Sequence, residues 1–206
     1  MFVTVEGPEG SGKSSVMKRV SDRLAEEGYD IVLTREPGGT PIAEQIREVI
    51  LNKNNTKMDK ITEALLYAAS RRQHLVEKVW PLTKEGKIVI SDRFLDSSLA
   101  YQGGARGIGI DKVLEINMYA TEGYFPDLTL LFDVAPEVGL ARIAANKGRE
   151  VNRLDLEKIE LHRDVRQTFL NLAHRFSDRF VIIDASQPFE KVIEDAYKAI
   201  KERMVK

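Results

Sequence analysis

Near the amino terminus stands GPEGSGKSS, Gly7 to Ser15, directly after the apolar run FVTVE. Gly7, Gly12, Lys13 and Ser14 fit the pattern G-x-x-x-x-G-K-[ST], and they do so between a strand-like run and a helix-like one, where the pattern has a physical meaning. Glycines let successive backbone N–H groups turn inward and approach phosphate oxygens closely. The helix that follows aims the positive end of its dipole at the same spot. Lys13 supplies a mobile cation for β- and γ-phosphates, and the Ser14 hydroxyl can reach Mg²⁺. The competing reading is an ordinary glycine-rich turn. Composition gives a chance match somewhere in the chain a probability of about 1%, and the strand-to-helix setting lowers it. The loop formed by Gly7, Pro8, Glu9, Gly10, Ser11, Gly12, Lys13, Ser14 and Ser15 is therefore expected to hold a nucleoside triphosphate.

A GTPase switch would usually add an N-K-x-D base-reading motif and a D-x-x-G turn. Asn146-Lys147 is followed instead by Gly148-Arg149, and no Asp is followed three residues on by Gly. Polar chemistry recurs after the next two apolar runs, as Arg35 and Glu36 in TREPGG and Asp92 and Arg93 in SDRF. In an open α/β sheet the carboxyl ends of the strands meet at the ligand crevice, so Lys13, Arg35, Glu36, Asp92 and Arg93 are expected to converge.

The elements that must position these groups are legible as alternation. Short, nearly continuous apolar runs at Phe2–Glu6, Ile31–Thr34, Ile88–Ser91, Leu128–Val134 and Phe180–Asp184 read as parallel strands covered on both faces. Val16, Val20 and Leu24 recur four apart in the first helix, with Gly28 as its C-cap, and further helices are expected over Ile61–Leu82, Leu156–Phe176 and Phe189–Met204. The fold class is doubly wound α/β with a parallel sheet, in a single domain over 1–206. A content of 43% apolar residues supports a real core, and 31 basic against 32 acidic side chains give no global pull towards nucleic acid or an anionic membrane. There is no cysteine, which excludes disulfides and thiolate metal sites, and no stretch approaches a membrane span, so a cytoplasmic location is expected.

The segments EGPEGSGKSS, TREPGGT, ALLYAASRRQH, SDRFLDSSLAYQGGARG, PDLTLLFDV and NRLD together resemble thymidylate kinases, and they span almost the whole chain. The resemblance implies a P-loop fold on a five-stranded parallel sheet, transfer of the ATP γ-phosphate to dTMP with Mg²⁺, and a homodimer. It gives Lys13 and Arg93 the phosphates, Ser14 and Asp92 the Mg²⁺ or its waters, and Arg142 a place on the ATP side. Glu9 would meet the acceptor's 3′-hydroxyl, while Glu36 and Arg47 lie at the acceptor phosphate end. Tyr67 would stack on thymine, Arg71 and Gln102 would bond the base edge, and Ser98 and Tyr101 would line the pocket.

Plainer readings compete for several of these. Tyr67 and Tyr101 suit a core, Arg71 and Arg47 suit solvated helix faces, Glu36 suits a turn, and Gln102 suits a turn opening before Gly103. Trp80 and the three histidines show no constellation and read as structural. Many family members outside bacteria carry an arginine where this chain has Gly10. Here NKGREVNRLD, with Lys147, Arg149 and Arg153, matches the bacterial pattern of a basic lid, over about 142–155, that brings Arg149 and Arg153 to the transferred phosphoryl group. Two other readings stay open on the residues alone: a kinase for another nucleotide or deoxynucleoside, and a P-loop binding protein without turnover.

Overall fold

The computed structural model describes residues 1–145 and 158–205. Five parallel strands form one sheet: β1 (Phe2–Glu6), β2 (Ile31–Arg35), β3 (Ile88–Asp92), β4 (Leu128–Asp133) and β5 (Phe180–Asp184). Their order is β2-β3-β1-β4-β5. The chain begins in the middle, runs out to the β2 edge, fills in β3, then crosses to the other side of β1. Loops leaving neighbouring β1 and β3 thereby diverge, which opens the crevice used by ligands in this class of sheet.

Period-two alternation along β1 sorts side chains between two cores. Val3 and Val5 pack with Val16, Val20 and Leu24 of α1 (Lys13–Glu26) and with Val192, Ala196 and Ile200 of α9 (Phe189–Met204). Phe2 faces the other way, against Phe94, Leu99, Val165 and Phe169. That second face is built from α3 (Lys60–His74), α4 (Trp80–Lys84), α5 (Leu95–Ser98), α6 (Ile110–Thr121) and α8 (Ile159–Arg175). Helix α2 (Pro41–Leu51) packs on α3, and α7 (Pro136–Ala145) follows β4. Thr4 and Glu6, on the same side of β1 as Phe2, are fully buried polar residues, and Thr4 hydrogen-bonds Thr129 across to β4 at 2.9 Å.

Two expectations are corrected here. The edge strands are not covered on both faces, since Leu33 of β2 is 43% exposed and Ile182 of β5 is 53% exposed. Each has a strand on one side only. The helix expected over Ile61–Leu82 is helical throughout but interrupted, because Leu75–Val79 forms a wider π-helical turn between α3 and α4. Pro81 lacks the N–H an unbroken α-helix would need, and it sits in the first turn of α4, where none is required. A second π-helical segment, Leu99–Ala105, continues α5 and carries Tyr101 and Gln102. The α8 helix starts at Ile159 among the described residues, so the Leu156 boundary lies outside them.

Candidate active site

The loop after β1 is shaped by what it must clear. A Cβ on Gly7 would come within 2.4 Å of the Phe132 carbonyl oxygen, and one on Gly10 within 2.0 Å of the Gly139 carbonyl oxygen, both at positive φ. Helix α1 then begins on Gly12, which offers no side-chain cap, and its first turn carries no acidic residue. Its amino-terminal N–H groups are thus not claimed by a neighbouring carboxylate and suit an anion. Lys13 folds back across the loop and donates to the carbonyls of Gly7 (3.1 Å) and Pro8 (2.9 Å) and to Ser11 Oγ (3.1 Å). Burial, reinforced by the nearby Arg93 guanidinium, lowers its ammonium to about 8, against the pull of Asp92, Glu9 and Glu6.

A cavity of about 480 Å³ opens beside this loop, within the range of small-molecule sites. It is lined by Glu9, Gly10, Gly12, Lys13, Ser14 and Ser15, by Arg35, Glu36 and Arg47, by Tyr67 and Arg71, and by Asp92, Arg93, Ser98, Tyr101, Gln102 and Arg142. Gly7, Pro8 and Ser11 stand behind it as the acceptors for Lys13. Arg149 and Arg153 lie outside the described residues. Pro37, Leu51, Ser97 and Ile143, not singled out in the sequence, complete the wall with Phe94.

Each cation around the cavity has a partner. Arg93 donates to Glu9 Oε1 at 2.9 Å and to Ser97 Oγ at 2.9 Å, and its guanidinium lies 5.3 Å from the Tyr101 ring centroid. Burial alone would raise the Glu9 carboxyl, but Arg93 and Lys13, with a hydrogen bond from the Tyr101 hydroxyl, hold it below the usual carboxylate range. Ser14 Oγ donates to Asp92 Oδ2 at 2.6 Å. A hydroxyl and a carboxylate at the phosphate end form a hard-oxygen pair, the kind Mg²⁺ accepts beside phosphates and water, so these residues fit that ion. Arg35 pairs with Glu44 at 3.0 Å, Arg47 donates to the Pro37 carbonyl at 2.9 Å, and Arg142 donates to the Ala185 carbonyl at 3.1 Å.

Arg71 is no solvated helix residue. It is 1% exposed, pairs with Glu36 at 2.8 Å, and also donates to Ser98 and Asn117. Gln102 Nε2 is likewise bonded to buried Glu63, at 2.8 Å. Reading the histidines as remote from any constellation is corrected for two of the three. His74 Nδ1 lies 2.8 Å from Glu36 Oε1 and its Nε2 lies 2.7 Å from Thr34 Oγ1. A carboxylate only accepts, so His74 Nδ1 donates, and in the neutral ring Nε2 accepts from Thr34. His162, 1% exposed on α8, has Nδ1 3.9 Å from Glu9 Oε2. A signal for both was present. Glu63, Tyr67, Arg71 and His74 run along one stripe of α3, and His162, Val165, Phe169 and Leu172 along one stripe of α8. A polar residue in a buried stripe needs a partner.

Residues 5–196 match the family profile described as Thymidylate kinase. The chain is 54% identical over 203 residues to the thymidylate kinase of Geobacillus sp. (strain WCH70), covering 98% of this chain and 97% of that one. It is 57% identical over 200 residues to that of Clostridium novyi (strain NT), covering 97% and 98%. It is also 57% identical over 206 residues to that of Bacillus velezensis (strain DSM 23117 / BGSC 10A6 / LMG 26770 / FZB42), covering 100% and 97%.

The lowered Lys13 gives a pH prediction. Its charge is present below about 8 and lost above it, and kcat/KM reports the free protein whereas kcat reports the bound one. We expect kcat/KM for ATP to fall on the alkaline side from about pH 8, while kcat holds to higher pH because bound phosphate keeps Lys13 protonated. A kcat/KM profile flat to about pH 9.5 would contradict the shift.

Proposed function

The chain belongs to the thymidylate kinase family, and on that premise we propose that it transfers the γ-phosphoryl group of ATP to dTMP, giving dTDP and ADP in the synthesis of dTTP. One observation carries the reading: a single cavity runs from the phosphate loop, at Lys13 and Ser14, to Tyr67 and Gln102. Two nucleotides bound at its ends would meet phosphate to phosphate.

An oxygen of the dTMP phosphate attacks the γ-phosphorus, forming one P–O bond while the bond to the β-phosphate oxygen breaks and its electron pair leaves with ADP. The step asks little covalent chemistry of the protein, so positioning and charge carry it. The loop amides, Lys13 and Arg93 meet the phosphates, and Arg142 lies on the ATP side. Ser14 and Asp92 would hold Mg²⁺, which neutralises phosphate charge when bound. Tyr67 stacks on thymine, Arg71 and Gln102 face the base edge, and Ser98 and Tyr101 line its pocket. Arg71 and Gln102 are already fixed by Glu36 and Glu63, so neither must be ordered when the base arrives. Glu9 accepts from the 3′-hydroxyl. Glu36 acts at the acceptor end through the Arg71 guanidinium it holds, with Arg47 beside it.

Purified protein with ATP and Mg²⁺ should release ADP fastest with dTMP, and more slowly with dUMP, CMP or thymidine. Equal rates with CMP would point to another nucleotide kinase, and no release with any acceptor would point to a binding protein.

The lid reading extends this. Gly10 brings no cation, so Arg149 and Arg153, in the stretch 142–155 of a single domain over 1–206, supply charge to the moving phosphoryl group. Loss of an arginine finger in related chemistry costs about 10³–10⁵ in rate, and with two arginines sharing the task each alanine change should lower kcat by roughly 10². Affinity for dTMP without ATP should hardly change. A double variant turning over at the wild-type rate would end the lid assignment.

No helix among the described residues is long and apolar enough to cross a membrane, and a cytoplasmic location fits the nucleotide substrates; no nucleic-acid partner is proposed. Ile61 and Leu65 of α3 are exposed, and α6, packed beside it, exposes Met118 and Tyr119, the last at 90%. Apolar side chains so placed suit a covering partner, here a second copy of the chain. Sedimentation velocity should give the mass of two chains, and of one for Leu65→Glu with Tyr119→Glu; a wild-type monomer at micromolar concentration would refute the dimer.

A further inference from the structure

Arg93 has φ of +72°, in the left-handed region that non-glycine residues seldom occupy. Such a conformation costs on the order of 1–3 kcal/mol and persists only where neighbours over-determine it. Three hydrogen bonds do so. The Arg93 N–H donates to the Val5 carbonyl at 3.0 Å, its carbonyl accepts from Ser91 Oγ at 2.8 Å, and the next N–H, of Phe94, donates to Glu6 Oε1 at 2.8 Å. The second oxygen of the same carboxyl group, Glu6 Oε2, accepts from Ser97 Oγ at 2.5 Å, and that hydroxyl in turn accepts from Arg93 Nη1 at 2.9 Å.

Glu6 itself is 0% exposed and does not line the cavity. Burial, with Asp96 beside it, pushes its carboxyl up to about 8, against Ser97, Arg93 and the Phe94 N–H. An acid is therefore kept at the centre of the sheet at a cost that an apolar side chain would avoid. Its two oxygens divide the work: one fixes the backbone just after Arg93, and the other fixes the hydroxyl that aims the Arg93 guanidinium.

We propose that Glu6 is a positioning residue for the transfer step, acting on Arg93 from beneath the sheet's carboxyl end through the Phe94 N–H and the Ser97 hydroxyl. The inference rests on reading Arg93 as a phosphate contact, and the test separates the two. Glu6→Leu keeps the bulk but offers nothing to the Phe94 N–H or to the Ser97 hydroxyl, whichever protonation state Glu6 holds. The offset guanidinium should meet the charge developing in transfer less well than the charge of bound nucleotides.

A double-mutant cycle on kcat decides the matter. Glu6→Leu alone should lower kcat by roughly ten- to a hundredfold while KM for ATP and for dTMP moves less than about threefold. On an Arg93→Ala background the same change should alter kcat by less than about twofold, because the residue through which Glu6 acts is gone. If Glu6→Leu is silent, or its full loss persists without Arg93, the positioning role is overturned while Arg93 keeps its place. If Arg93→Ala itself turns over normally, the phosphate-contact reading falls and takes this inference with it. Should Glu6→Leu not fold by circular dichroism, Ser97→Ala cuts the same relay at its partly exposed middle member, and its cycle with Arg93→Ala is read in the same way.

Discussion

Cations gathered around one cavity must each be held by a partner, and the site is organised around that constraint. Lys13 rests on two loop carbonyls and Ser11, Arg93 on Glu9 and Ser97, and Arg71 on Glu36. Removing one member of a buried pair leaves an uncompensated charge, which costs far more than the pair contributes. The carboxylates are therefore as much part of the machinery as the cations they hold. Their effect is preorganisation: the dipoles and charges that meet a ligand are already oriented, so little reorganisation is left for the moment of transfer.

The sheet order explains how residues distant in sequence come to share this duty. Placing β1 between β3 and β4 brings the loop after β1 beside the turn after β3, so that Ser14 reaches Asp92 and Glu9 reaches Arg93. The two π-helical segments contribute on the other side. One separates α3 from the turn around Pro81, and the other presents Tyr101 and Gln102 to the same cavity. Wider turns of this kind are common at functional sites, where they redirect side chains that a regular helix would spread around its axis.

Much of this could be read from residue order. The five strands, the phosphate loop and the convergence of Arg35, Glu36, Asp92 and Arg93 followed from apolar runs and from polar residues at their ends. What escaped was whatever depends on a partner remote in the chain. His74 looks structural until β2 and the following turn bring Thr34 and Glu36 against it. Glu6 looks like the last residue of an alternating strand, and only the left-handed turn at Arg93 shows why an acid is buried there. Strand position was also invisible: β2 and β5 have the composition of covered strands and stand at the edges.

The contact between Gly10 and Gly139 has a consequence for the far wall of the cavity. The backbone of the loop tip and that of α7 touch so closely that a Cβ on Gly139 would lie 2.2 Å from the Glu9 carbonyl oxygen, as one on Gly10 would crowd Gly139. The two positions are mutually locked. An arginine at Gly10 could not be accommodated until α7 had withdrawn. Withdrawal of α7 would in turn move Arg142, which it carries to the cavity wall. A side chain at either glycine is thereby tied to the placement of the opposite segment, so the tip of the loop and the Arg142 side of the cavity are set together.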